Sequence, residues 1–216
     1  MNIDEDDTKL FRLLEPGEFG IYTQSDELPV SDCPVYLMEG VGGICLSGTA
    51  TVQVFSHRFR IVRGMVLALF PWQLISIKEV SDDFGIRFFR ISHDMFTDTL
   101  SSLWRARPGF FFYMRTHIAS EPREEYVGRF LNFCDLLAYR AENAPVICRR
   151  ESVMQLLRVF YWDVYTIYLN DPQAERLLIP IRKNWHSGSC GRSSRNILPT
   201  GTWRISPRGS GSLRST

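Results

Sequence analysis

Between Phe19 and Ile91 the chain carries eight short runs rich in β-branched and aromatic residues, with turn residues breaking them every few positions. The runs are FGIYT (19–23), PVYLME (34–39), GICLS (43–47), TVQVF (51–55), FRIV (59–62), MVLALF (65–70), LISIKEV (74–80) and FGIRFFRI (84–91). LEPGE, VGG, SHR, RGM and SDD supply the turns. Within TVQVFSHRFRIV, Val52 and Val54 fall on one face, with Thr51, Gln53 and Phe55 on the other, as a half-buried hairpin requires. So many closely spaced strands without a helical period between them predict an antiparallel sandwich or barrel.

After Ile91 the period changes. Asp94–Trp104 reads as a short helix capped by Ser92. Over residues 121–143, Tyr126, Phe130, Phe133 and Leu137 recur at helical spacing, widened by Val127, Leu131, Cys134 and Ala138. Pro122 suits the first turn of that helix, and Pro145 ends it. A second helix, from about Arg149 to Asn170, presents Val153, Leu157, Phe160, Val164 and Ile167 on one face and stops at Asn170-Asp171-Pro172. The short connection favours an antiparallel helical pair. The two stripes are broad enough either to cover the β-region or to meet a second copy of the chain. Val153, Leu157, Phe160 and Val164 are the candidate dimerisation residues.

A chain of 216 residues, 44% apolar and 13% aromatic, can build a substantial core. Its net charge of +1 conceals an asymmetry. Residues 182–216 hold seven Lys or Arg and no Asp or Glu, so residues 1–181 carry eighteen basic against twenty-four acidic residues. That acidic body argues against a nucleic-acid surface there. The N-terminus shows no signal peptide, and the apolar runs are too short for a membrane span. Five widely spaced cysteines without a CxxC pair read as reduced thiols of a cytoplasmic protein.

The motifs GxSxG, HExxH and GxxxxGK[ST] are absent. His57, His93, His117 and His186 share no helix-face or same-strand spacing, so neither a metal nor another cofactor is expected. Asp82-Asp83 reads as a turn, Glu124-Glu125 as acids complementing a helix dipole, and Arg149-Arg150 as a solvated helix start. Tyr36, Phe55, Trp72 and His93 are the candidate walls of a ligand cavity within the β-region.

The stretch GICLSGTATVQVFSHRFRIVRGMVLALFPWQLISIKEVSDDFGIRFFRISHDMF resembles the cupin-type sensing domain of AraC-family bacterial transcription regulators. A hairpin, then a Leu/Val-x-x-Gly turn, then a strand and a proline recur in that family. Arg63-Gly64 and Pro71 stand at the matching positions. The resemblance covers about residues 10–170 and includes the two helices, which in the family often form the dimer contact. It implies an α+β fold: an N-terminal antiparallel cupin-like β-barrel of jelly-roll type, then an antiparallel α-helical pair. The division expected is a barrel over 1–105, a helical dimerisation segment over 106–172, a linker over 173–181 and a basic tail over 182–216. The function implied is a ligand-sensing and dimerisation module with a small-molecule effector and no catalytic residues. DNA would be contacted only through a C-terminal domain missing from this chain.

One departure bears on the alternative, a cupin-like small-molecule enzyme. Enzymatic cupins hold a metal with two or three His and a Glu, and commonly place another His shortly after the Pro. Here Trp72, Gln73, Leu74, Ile75 and Ser76 follow Pro71, and the hairpin offers only His57.

The tail is unlike the family's helix-turn-helix domain. It lacks acids and helical period and is rich in Ser, Gly and Arg. Back-translated from Arg182 with freely chosen synonymous codons and read from the third nucleotide, it yields a peptide containing LAFRKLWEVVEEHF and DVAYFAEGLWVSPKYL. The second resembles the opening of an AraC-type helix-turn-helix. A frameshift near Ile181–Lys183 is therefore the expected origin of the tail; sequencing of the gene tests it.

Overall fold

The computed structural model describes residues 12–171 apart from Trp104, Arg105 and Arg107. The expectations for the linker and the frameshifted tail lie outside the described residues.

Eight strands form, one for each run read from the sequence: β1 (Phe19–Tyr22), β2 (Val35–Tyr36), β3 (Gly40–Ser47), β4 (Thr49–Val54), β5 (His57–Val62), β6 (Val66–Leu69), β7 (Leu74–Lys78) and β8 (Gly85–Ile91). They build two four-stranded antiparallel sheets, ordered β1-β8-β3-β6 and β2-β7-β4-β5. The expected closed barrel is thus replaced by two facing sheets. The packing between them comes from alternation: Val52 and Val54 of β4, Ile61 of β5 and Ile75 of β7 meet Val41 and Cys45 of β3 and Ile86 and Phe88 of β8.

The other face of the β1-β8-β3-β6 sheet carries the helices. Ile44, Ala68, Phe89 and Ile91 point that way, into a second core made with helical residues. Strand β3 is buried on both faces from Gly40 to Cys45, because it is central in its sheet and covered on each side. Gly42 is one of the close approaches that result. A Cβ there would lie 2.2 Å from Phe89 Cζ and 2.8 Å from Phe160 Cε1.

Among the described residues four α-helices come after the sheets: α1 (His93–Leu100), α2 (Pro108–Met114), α3 (Glu124–Asn143) and α4 (Val146–Asn170). The Ser92 hydroxyl accepts from the Met95 N–H at 3.2 Å, which is the cap expected of it. Helix α3 starts two residues after Pro122, which therefore lies outside its first turn. The tie there comes from Arg63, whose guanidinium donates to Glu124 at the helix start and to the Leu46 carbonyl. Helix α2 has no counterpart among the sequence expectations; its PGFFFYM sequence has no polar face to give a helical period.

Helix α4 is the centre of the helical layer, touching α1, α2 and α3. This corrects the expectation for its apolar stripe. Val153 and Leu157 are completely buried, and Phe160 and Val164 are only 5% exposed, all within this one chain. They have no surface left for a second copy. The outward stripe of α4 instead holds Val159, Trp162 and Leu169, which are 54, 40 and 48% exposed. Arg150 is likewise not a solvated helix start. It is buried and pairs with Glu18 at 3.2 Å and Asp98 at 2.6 Å, joining α4 to the start of β1 and to α1. Among the described residues no helix is long and apolar enough to cross a membrane.

Candidate ligand-binding cleft

The four residues expected to wall an internal cavity do not come together in one. Tyr36 is 62% exposed on β2. Trp72 is 53% exposed in the β6–β7 turn, with φ at +70°, and its ring meets that of His93 edge-on at 5.8 Å. Phe55 sits in the β4–β5 turn with φ at +51° and rests partly on the inter-sheet core. None of the four lines the cleft described below or the small space between the sheets. The space between the sheets amounts to about 20 Å³ and is lined by side chains such as Val41, Ile61 and Phe84. A pocket of this size has room for about one water and for no larger ligand.

The large opening is elsewhere. A cleft of about 780 Å³ lies between the start of β5, the segment 117–123 and the facing sides of α3 and α4. Its volume is within the range of small-molecule sites. The segment 117–123 is positioned by main-chain bonds along β6. Ala68 N–H donates to Ile118 O at 2.8 Å, Ser120 N–H to Val66 O at 2.9 Å and Arg123 N–H to Gly64 O at 3.0 Å. The Ser120 hydroxyl accepts from Val66 N–H at 3.0 Å. Gly64 is required at this junction: its φ is +81°, and a Cβ would come within 2.9 Å of the Arg123 carbonyl oxygen.

The apolar side of the cleft is aromatic. Phe130 and Phe133 of α3 meet Phe160 of α4 at centroid distances of 5.9 and 6.0 Å. Opposite them the His117 ring stacks on Tyr113 at 4.1 Å and stands 6.3 Å from Phe59. His57, the hairpin's histidine, is exposed at the start of β5 and 6.5 Å from His117. The polar side brings both charge signs together: Arg58, Arg123 and Arg129 against Glu121, Asp163 and Asp171. Burial raises the Asp163 carboxyl above its ordinary range, and the charge of Arg129 opposes that rise. The Tyr113 hydroxyl donates to Asp171, and burial together with this bond pushes the phenol well above its usual range. Aromatic rings together with charges of both signs suit a molecule with an apolar body and a polar end.

Gln73, the second residue after Pro71, is buried and acts as a joint. Its Oε1 accepts from Phe70 N–H at 2.8 Å, and its Nε2 donates to Met114 O at 2.6 Å, fastening the end of α2. Among the described residues no group of three or more His, Cys, Asp or Glu could hold a metal ion.

Nothing in the sequence singles out Phe59, Tyr113, His117, Arg129 and Asp163 as a site. They come from five different elements or connections, and no spacing links them. Phe130, Phe133 and Phe160 are visible as helical stripes, but a stripe that packs and a stripe that walls a cleft have the same period.

No family model and no curated protein sequence matches the chain. Solved structures do. The chain is similar to an apo form of ToxT from Vibrio cholerae, at 12% identity and a TM-score of 0.46, over 77% of this chain and 65% of that one. It is similar to unsaturated-fatty-acid-bound ToxT from the same organism, at 12% identity and a TM-score of 0.37, over 69% and 52% of the two chains. It is also similar to the AraC-like transcriptional activator CuxR, at 15% identity and a TM-score of 0.36, over 80% and 59%. The chain spans about 65% of the length of the first ToxT structure.

Proposed function

We propose that this chain is the effector-sensing part of an AraC-type transcription regulator, and that its effector is a small amphipathic molecule bound in the cleft between segment 117–123, α3 and α4. The regulator half of the reading rests on the order of sequence motifs around Arg63-Gly64 and Pro71. The location half rests on one contrast, about 780 Å³ in the cleft against about 20 Å³ between the sheets. The effector's apolar body lies on Phe130, Phe133 and Phe160, and its polar end meets Arg129 and Asp163. The chain binds and does not catalyse. In this reading the sheets are a cupin-like sandwich and α3 with α4 an antiparallel pair. Phe130 and Phe160 stand at similar sequence distances from the Ala144-Pro145 connection, and they touch.

Dimerisation in this reading uses the outward stripe of α4, with Trp162 at its middle, in a second copy of the chain. DNA binding belongs to a separate C-terminal domain that the effector influences through the residues after Asp171.

The test is binding of the fluorescent probe 1-anilinonaphthalene-8-sulfonate, which has an apolar body and an anionic end. Ile167→Trp puts a larger side chain into the cleft and abolishes binding; Ile77→Ala, between the sheets, leaves it unchanged. Binding that survives Ile167→Trp and responds to Ile77→Ala returns the site to the sandwich interior.

A further inference from the structure

The described chain ends at the cleft. Asn170 and Asp171 both line it. Asp171 has left the helix: its backbone is extended, at φ −83° and ψ 116°, while its N–H still bonds to Tyr168 O. The next residue is Pro172, which offers no N–H to continue the helix. The departure point is also held from the side, because the Tyr113 hydroxyl donates to the Asp171 carboxylate, and Tyr113 carries the stacked His117 ring of the opposite wall. The chain therefore leaves α4 extended, beside an aromatic wall, from a fixed position.

Gln173-Ala174-Glu175-Arg176 come next in sequence, and then an apolar run, Leu177-Leu178-Ile179-Pro180-Ile181, bracketed by Arg182-Lys183. These residues lie outside the described ones. Leu177 is six residues past Asp171, a reach of roughly 20 Å when extended. Pro180 in the sequence disfavours a helical conformation at the residue before it. The cleft lining offers both charge signs, Arg123 and Arg129 as well as Glu121 and Asp163.

We infer that Leu177–Ile181 docks into the cleft of its own chain and competes there with the effector. This rests on the reading of the cleft as the effector site, and it supplies that reading with its output. Effector entry expels the run and frees the connection to the residues downstream of it. A segment that occupies the cleft nine-tenths of the time weakens the apparent affinity for any other occupant about tenfold.

The experiment uses the full chain and two probes: 1-anilinonaphthalene-8-sulfonate, and a labelled peptide of residues 173–181. Leu177→Asp combined with Ile179→Asp removes the internal competitor. The expected result is roughly tenfold tighter dye binding in the double variant, with the peptide binding that variant and displacing the dye. Equal dye affinity in both chains, with Ile167→Trp still abolishing it, overturns the docking and leaves the effector site standing. Peptide binding that Ile167→Trp removes, with no dye binding in either chain, supports the docking and overturns the effector reading. Failure of both probes overturns both.

Discussion

The guanidinium of Arg150 and the carboxylate of Glu18 form an ion pair at 3.2 Å with both side chains buried. The partners are 132 residues apart in sequence; Asp98 pairs with Arg150 at 2.6 Å, and half-exposed Arg12 reaches Glu18 at 2.8 Å. Removing Arg150 takes from Glu18 its buried partner and leaves it only the half-exposed Arg12. Arg150→Met should cost about 3–5 kcal/mol, whereas Glu18→Leu combined with Arg150→Met should recover most of the loss. Urea unfolding of the single and double variants measures both, and a single variant as stable as the parent contradicts the pairing.

Gly42 is where β3 meets the helical layer most closely. Gly42→Ala forces the Phe89 and Phe160 rings apart, and overpacking of this kind costs about 1–3 kcal/mol. Thermal unfolding reads the loss. Adding Phe160→Leu should restore part of it by making room; a double variant worse than both singles by their full sum would argue that the two positions do not touch.

The two faces of α4 should separate stability from the proposed association. Leu157→Ala opens a cavity in a fully buried position and should destabilise the chain by about 2–5 kcal/mol. Trp162→Asp lies on the exposed stripe and should leave unfolding nearly unchanged while converting a dimer to a monomer in light scattering. A dimer that persists in Trp162→Asp excludes this stripe as the contact.

Burial sorts the cysteines. Cys33 and Cys148 are exposed, while Cys45 and Cys134 are buried. Burial pushes the Cys134 thiol up to about 11, with Arg87 pulling it back, and raises Cys45 as well. A group whose folded pKa is raised stabilises the fold below its unfolded value and loses that contribution as pH climbs through the folded one. The contribution of Cys134 is thus complete below about pH 8.5 and gone above about pH 11. At about pH 8.5, the ordinary thiol value, iodoacetamide should modify Cys33 and Cys148 well before Cys45 and Cys134, as peptide mass mapping can track. Modification of Cys134 at the rate of Cys148 would contradict its enclosure.

The strands were legible because an antiparallel strand covered on one side must alternate, and TVQVF does so with Val52 and Val54 buried. Only the second half of β3 was legible: Val41-Gly42-Gly43 looks like a turn in one dimension, yet it lies inside Gly40–Ser47, a strand buried on both faces that needs no alternation. Long-range polar pairs were not legible. Arg149-Arg150 looks solvated in one dimension, and only the fold brings Glu18 beneath it. The cleft was hidden for the same reason, since His117 sits in an irregular segment whose place is fixed by bonds to β6. Trp72 misled because a large aromatic after a proline suits a cavity wall, yet its positive φ turns it toward solvent and His93.

One sheet divides two cores. β1-β8-β3-β6 has the sandwich packing on one side and the helices on the other, so neither core can dissolve without baring a face of that wall. Exposed side chains such as Arg58 and Arg60 show that the opposite sheet is covered on one side only. Amides of β3 and β8 should therefore exchange with solvent deuterium only through complete unfolding. Those of β2 and β5 should exchange through cheaper partial openings. The clock of the molecule is set by its middle layer.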